Sequence, residues 1–157
     1  MRNISELNIN DGGKRIARSA PFDEVINAFQ SHFGIILPKS YLRLLQHSNG
    51  GHPELDSIVP VSRPGAARWA VNRFHYLDTD KTSAGSLWAA AEKWKNILGE
   101  GCLPFAADGG GNQFFLDFKI SPPPVKICVH DENFSIVDVA PTFESFIDGL
   151  TVDPDMI

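Results

Sequence analysis

The residues best suited to chemistry lie in two short polar clusters. One contains His47, His52, Glu54 and Asp56, and the other contains His130, Asp131 and Glu132. Neither cluster has His-x-x-x-His on a helix or any other ligand spacing that is typical of a metal site. Both fall at predicted turns, where exposed polar side chains are common. The sequence therefore predicts no metal ligands and no cofactor.

Nucleophilic catalysis is not supported by the sequence either. The chain has no Gly-x-Ser-x-Gly elbow that would present a serine nucleophile. Cys102 and Cys128 have no adjacent His or basic residue to stabilise a thiolate, and they do not form a Cys-x-x-Cys pair. We expect both cysteines to be reduced and to pack as small apolar side chains. These patterns predict a protein that is not an enzyme.

The glycine-rich segment 108–112, Asp-Gly-Gly-Gly-Asn, fits either a phosphate loop or a hairpin turn. A phosphate loop needs a helix directly after its glycines and usually a Lys-Ser/Thr pair. Here a strand-like segment follows, so we interpret residues 103–118 as a β-hairpin in which Asp108 accepts backbone amides within the turn. Apolar residues of its second strand should then face the core, namely Phe114, Leu116 and Phe118. Asp117 lies on the opposite face and is harder to explain.

Charge is unevenly distributed along the chain. Residues 1–99 hold twelve Lys/Arg and nine Asp/Glu, whereas residues 100–157 hold two Lys/Arg and ten Asp/Glu. We call residues 100–157 the acidic half. An acidic surface repels nucleic acid and attracts basic partners, but it also simply aids solubility. Charge alone leaves both interpretations open.

Length and composition predict one domain with a substantial core, since 43% of the 157 residues are hydrophobic. Residues 1–20 are a polar lead-in without the apolar segment of a signal peptide, and no apolar run is long enough to span a membrane. We expect a cytoplasmic protein with its domain over residues 21–150 and a short tail over residues 151–157.

Hydrophobic periodicity predicts the elements that would position these residues. The predicted helices cover residues 22–33, 38–48, 84–98 and 142–150. The predicted antiparallel strands cover residues 102–107, 113–118, 125–130 and 134–139. A further strand is expected over residues 69–77, and a short edge strand over residues 57–61. Helices at both ends with hairpin-linked strands between them are typical of an α+β fold.

Three segments combine helix caps and tight turns in a distinctive order. The first is Leu37-Pro38-x-x-Tyr41-Leu42-x-x-Leu45 with Ser48-Asn49-Gly50-Gly51, the second is Leu103-Pro104-Phe105-Ala106-x-Asp108-Gly109-Gly110-Gly111-Asn112, and the third is Val139-Ala140-Pro141-Thr142-Phe143-Glu144-Ser145-Phe146-Ile147. This order resembles the SUKH superfamily, in its branch related to the yeast cell-wall assembly regulator. The similarity covers residues 22–150. It implies a mixed, mostly antiparallel sheet flanked by N-terminal, middle and C-terminal helices.

The resemblance also implies a protein-binding module without a catalytic set. Many bacterial members of the superfamily are immunity proteins that neutralise a toxin domain, often a nuclease or a deaminase. We therefore expect a cognate basic protein toxin as partner, with neither direct nucleic-acid contact nor membrane attachment. The alternative is an intracellular regulatory or interaction module without a toxin partner.

Three acidic residues at predicted hairpin tips are the expected partner-binding residues, namely Asp108, Asp131 and Glu132. Their carboxylates would compete with phosphates for the substrate cleft of a basic toxin. The sequence leaves open the oligomeric state and the roles of residues 1–20 and 52–83.

Overall fold

The computed structural model describes residues 1–61, 65 and 67–156. The helices of this part are α1 (Asp23–Phe33), α2 (Lys39–His47), α3 (Leu87–Leu98) and α4 (Phe143–Gly149). Its strands are β1 (Ser57–Ile58), β2 (Trp69–Ala70), β3 (Arg73–Phe74), β4 (Cys102–Ala107), β5 (Gln113–Asp117), β6 (Val125–Val129) and β7 (Ser135–Ala140). Short 3₁₀ turns cover Ile4–Leu7, His130–Glu132 and Pro154–Met156. The predicted α+β class is confirmed.

The helix ends follow from local sequence signals. Gly34 ends α1 because it adopts φ 65°, a left-handed conformation that glycine tolerates, and its N–H bonds the carbonyl of Gln30. Thr142 and Ser145 form a capping box at the start of α4, in which each side chain accepts the other residue's backbone N–H. α3 begins at Leu87, later than predicted, because Ser86 is its N-cap.

A five-stranded antiparallel sheet in the order β3-β4-β5-β6-β7 forms the centre of the fold. Leu103 is paired with Leu116, and Phe114 with Ile127, so the apolar residues of neighbouring strands share one face. Hairpins join β4 to β5 and β6 to β7. Because successive strands alternate in direction, the β4–β5 loop (residues 108–112) and the β6–β7 turn (residues 130–134) emerge at the same end of the sheet.

The two faces of this sheet are buried differently. On one face, Phe114 and Leu116 lie in the main core, with Phe118 half-buried against it, as predicted. The helix α4 covers this face, and the ring of Phe146 lies 5.6 Å from that of Phe114. On the other face, α3 covers Phe115 and Cys128 with a smaller apolar cluster that includes Trp94.

The strand predicted over residues 69–77 is wrong as a continuous element. β2 pairs with β1 in a small separate sheet, whereas β3 pairs with β4 in the main sheet. The backbone N–H of Val71 bonds Asp56, and that of Asn72 bonds Ala107. The chain therefore changes sheets between two adjacent residues. The predicted strand over residues 57–61 is likewise shorter and ends at Ile58.

The first residues of the chain contribute to the core, although this segment is mostly polar. Ile4 and Leu7 are buried on the 3₁₀ turn that contains them. The guanidinium of Arg2 donates to the carbonyl of Leu150, at 2.6 Å, just after α4. The N-terminal segment is thus packed against the end of the C-terminal helix. Among the described residues, no helix combines the length and apolarity needed to cross a bilayer.

Candidate functional site

The three predicted partner-binding residues lie in two loops that contact each other. Asn112, at the end of the β4–β5 loop, accepts the backbone N–H of His130 on its side-chain oxygen, at 3.0 Å. The imidazole Nε2 of His130 lies 2.6 Å from the carbonyl oxygen of Gly110. We call residues 108–112 and 130–134 together the acidic tip. The fold thus brings together side chains that are separated by about twenty positions in sequence.

Asp108 organises its own loop. One carboxylate oxygen accepts the backbone N–H groups of Gly110 and Asn112, at 2.9 and 2.8 Å. The other oxygen accepts the side-chain amide of Asn112, at 2.8 Å. The residue is half-buried, and its carboxylate has three donors within five residues of chain. Asp108 is therefore the turn former that the sequence predicted, and it fixes the Asn112 side chain that holds His130.

Asp131 and Glu132 present their carboxylates to solvent. Both belong to the 3₁₀ turn His130–Glu132, and both are exposed. Glu132 accepts a long hydrogen bond from the hydroxyl of Ser135, at 3.4 Å. In the described part of the chain, neither carboxylate belongs to an ion pair. Two negative charges are therefore available at the tip for a partner.

The next two residues have an unusual backbone. Asn133 has φ 58° and Phe134 has φ 55°, so both are left-handed. Asn tolerates this conformation, but it is rare for a bulky side chain such as Phe. The Phe134 ring is 44% exposed and makes an edge contact with Trp94, with ring centroids 6.2 Å apart. The strand predicted over residues 134–139 is wrong at its first residue, because Phe134 lies in the turn before β7. The Asp-Glu-Asn segment directly before Phe134 is the signal in the sequence that indicates a turn there.

Asp117, which the sequence left unexplained, is part of an ion pair on the face covered by α3. The ammonium of Lys126 lies 2.9 Å from Asp117 and 3.9 Å from Asp138. Burial alone would raise the pKa of Asp117, but hydrogen bonds from Lys126 and from the backbone of Lys119 outweigh it and hold this pKa below its ordinary value. The hydrogen bond with Asp117 in turn raises the pKa of Lys126. Asp117 and Lys126 therefore neutralise each other's charge, and we assign this ion pair a structural role.

The polar cluster at residues 47–56 does not converge on one point. Glu54 accepts the side-chain amide of Asn8, at 2.6 Å. His52 has its Nδ1 2.7 Å from the carbonyl of Asn72 and its Nε2 3.9 Å from Asp56. Across the described residues, no three His, Cys, Asp or Glu side chains are close enough together to hold a metal ion. The side chains of this cluster connect loops.

A groove of about 460 Å³ lies between α3 and the sheet, with His75 and Gln113 on its wall. The Nε2 of His75 lies 2.9 Å from the side-chain oxygen of Gln113. Burial lowers the pKa of His75, so the imidazole is neutral near pH 7. Its described hydrogen-bond partners include no carboxylate. The groove therefore has a buried histidine without the orienting acid that a catalytic base usually has.

The cysteines do not form a reactive centre. Both are free thiols, with Cys128 buried and Cys102 partly buried. Burial raises the pKa of each thiol, so both are protonated near pH 7. Both pack in or against the small apolar cluster under α3, as predicted.

The model of the SMI1 / KNR4 family (SUKH-1) matches residues 21–149. The comparison with curated proteins returns no match. The matched range includes all four helices, the whole main sheet and the acidic tip.

Proposed function

Because this chain belongs to the SMI1 / KNR4 family (SUKH-1), we propose that it is an immunity protein that binds a basic protein toxin and covers its active site. The observation that carries this proposal is the acidic tip. Asp131 and Glu132 are exposed there, and the described residues offer neither carboxylate an ion-pair partner. They lie in a turn whose first residue, His130, is hydrogen-bonded to oxygen atoms of the neighbouring loop.

The physical basis is competition for a cleft that binds phosphate. A nuclease or deaminase toxin must present positive charge to its nucleic-acid substrate. Carboxylates that reach the same cleft are attracted by the same charges and exclude the substrate. Long-range attraction between an acidic protein and a basic one also accelerates their association. Inhibition by this route needs binding alone, with no catalytic step and no cofactor in the immunity protein.

Asp108 has a positioning role under this proposal. Its carboxylate holds the β4–β5 loop, and that loop holds His130, the first residue of the turn that carries Asp131 and Glu132. The contact with the toxin is made by Asp131 and Glu132. The protein acts in the cytoplasm, where the toxin's nucleic-acid substrate is found.

The decisive experiment is affinity capture from the native cell with the full chain as bait, followed by mass spectrometry. We expect the captured protein to be basic and, once purified, to cleave or deaminate nucleic acid. Adding the chain in equal amount should abolish this activity. A captured protein that lacks such activity, or that keeps it in the complex, would instead support the regulatory module without a toxin partner.

A further inference from the structure

The exposed apolar residues that follow the carboxylates of the tip form a surface of their own. Phe134 is 44% exposed and Ile136 is 53% exposed. Ile136 is paired with Cys128, so it lies on the face that α3 covers, and Phe134 contacts Trp94 of that helix. α3 therefore covers the inner part of this face and leaves Phe134 and Ile136 at its margin. We call these two residues the apolar margin.

Phe134 is held in a conformation that its side chain does not favour. A left-handed backbone costs conformational energy in any residue with a Cβ atom, and bulky residues rarely adopt it. Glycine or asparagine would satisfy the same turn without this cost. Strained residues of this kind are concentrated at functional sites, where the surrounding structure maintains them. Here the left-handed residue carries an aromatic ring that is 44% exposed at the tip of a hairpin.

The charges around the apolar margin identify the kind of surface that fits it. Asp131 and Glu132 are exposed and precede Phe134 on the same hairpin turn, with Asn133 between, and Lys126 is the nearest Lys or Arg before them in the sequence. Lys126 itself is engaged with Asp117 at 2.9 Å. A complementary surface must therefore offer an apolar pocket with basic side chains around it. Aromatic anchors in such pockets often account for most of the affinity of an interface.

We infer that Phe134 is the anchor of the partner interface and inserts into an apolar pocket that is rimmed by basic side chains. Ile136 extends the apolar contact, and Asp131 and Glu132 pair with the basic rim. This inference rests on the proposed function only in that the partner is a basic protein; it does not depend on the partner's activity.

Photo-crosslinking from position 134 tests the contact directly. The photoreactive amino acid benzoylphenylalanine replaces Phe134 in the full chain, which is then irradiated in its native cell. Phe22, an aromatic residue that is 72% exposed outside the tip, is replaced in the same way as the matched control. We expect a crosslink to a basic protein from position 134 and none to that protein from position 22. A crosslink only to a second copy of the chain, or to no protein, would overturn the inference.

Substitution separates an anchor from a structural residue. Phe134→Gly and Phe134→Asn relieve the left-handed backbone strain but also remove the ring contact with Trp94, so we expect little net change in the melting temperature. The same variants should bind the purified crosslinked protein at least about tenfold more weakly, mainly through faster dissociation. Phe22→Gly should leave the affinity unchanged. A large fall in melting temperature, or an unchanged affinity, would assign Phe134 to packing against Trp94 and overturn the inference.

These outcomes can be told apart from failure of the proposed function. If the crosslinked protein is basic but has no activity on nucleic acid, the immunity function fails and the anchor stands. If a toxin is neutralised equally well by Phe134→Gly, the function stands and the anchor is wrong.

Discussion

The hydroxyl of Tyr41 is buried without a hydrogen-bond partner among the described residues. Its ring packs edge-on against Phe143, with centroids 5.3 Å apart, and burial raises the pKa of Tyr41 far above its ordinary value. Removing an unsatisfied buried hydroxyl relieves a desolvation cost, so Tyr41→Phe should keep or increase the free energy of unfolding, by up to about 1 kcal/mol. Urea denaturation would measure the change.

Tyr76 provides the matched control for Tyr41→Phe. Its hydroxyl donates to the carboxylate of Asp80, at 2.9 Å, so Tyr76→Phe should lower the free energy of unfolding. If Tyr41→Phe were as destabilising as Tyr76→Phe, the Tyr41 hydroxyl would have a partner in solution.

His75 should make the stability of the protein sensitive to mild acid. Burial lowers the pKa of His75, the hydrogen bond with Gln113 opposes this shift in part, and the charge of Arg73 adds to it. The unfolded chain, with an ordinary histidine pKa of about 6.5, therefore binds a proton more tightly than the folded protein. The free energy of unfolding is therefore independent of the charge of His75 above a pH of about 6.5, and it decreases as the pH falls below that value.

The pH effect is measured as the difference between the native protein and His75→Gln. Urea denaturation at pH about 7.5 and about 5.5 should show a smaller loss of stability on acidification for the variant. His47→Gln, at an exposed histidine, is the control for replacing a histidine by glutamine. Equal losses in the native protein and in His75→Gln would show that His75 is protonated without cost in the folded state.

At the scale of elements, the three glycines of the β4–β5 loop differ in their backbone conformation. Of these, Gly111 alone has a positive φ, at 89°, and a Cβ atom there would meet only ordinary contacts with His130. The cost of a side chain at Gly111 is therefore conformational. Gly111→Val should lower the free energy of unfolding by about 1–2 kcal/mol, whereas Gly109→Val and Gly110→Val should cost less. Thermal melts of the three variants check this order; equal shifts in all three would contradict it.

The elements that local signals define could be predicted from the sequence. Gly34 and Thr142 mark helix ends by conformation or capping, and these signals act over a few residues. The cap at Ser86 was not recognised, so α3 was predicted to begin too early, at residue 84. The segment 69–77 could not be predicted, because its residues suit a strand throughout. Tertiary hydrogen bonds divide this segment. The backbone N–H of Val71 bonds Asp56, next to β1, whereas that of Asn72 bonds Ala107 of β4. Nothing in the local sequence encodes that choice.

The candidate site was predictable only where it depends on turns. Asp131 and Glu132 were expected at a hairpin tip because an Asp-Glu-Asn segment divides two apolar runs, and the structure has them exposed there. The contact between the two loops depends on strand order, which periodicity does not give. The conformation of Phe134 opposes its own local preference, so propensity pointed to a strand.

At the scale of the whole molecule, the uneven distribution of charge should affect the rate of association. We expect the double variant Asp131→Asn, Glu132→Gln to associate about tenfold more slowly with the captured basic partner at low salt, since steering raises association rates by roughly tenfold or more. The salt dependence of the rate should weaken too, because fewer charges then act over long range. Stopped-flow measurements across salt concentrations would give both quantities.

Asp108 is left intact in this experiment, because neutralising it would remove hydrogen bonds that hold the β4–β5 loop. The matched control is Asp23→Asn, Glu24→Gln, which changes the net charge equally at two exposed residues of α1. If position matters as well as net charge, the control should slow association much less than the tip variant. Equal slowing by both variants would mean that net charge alone steers the encounter. An unchanged rate at low salt for the tip variant would mean that the acidic half serves solubility, and the partner surface should then be sought in residues 52–83.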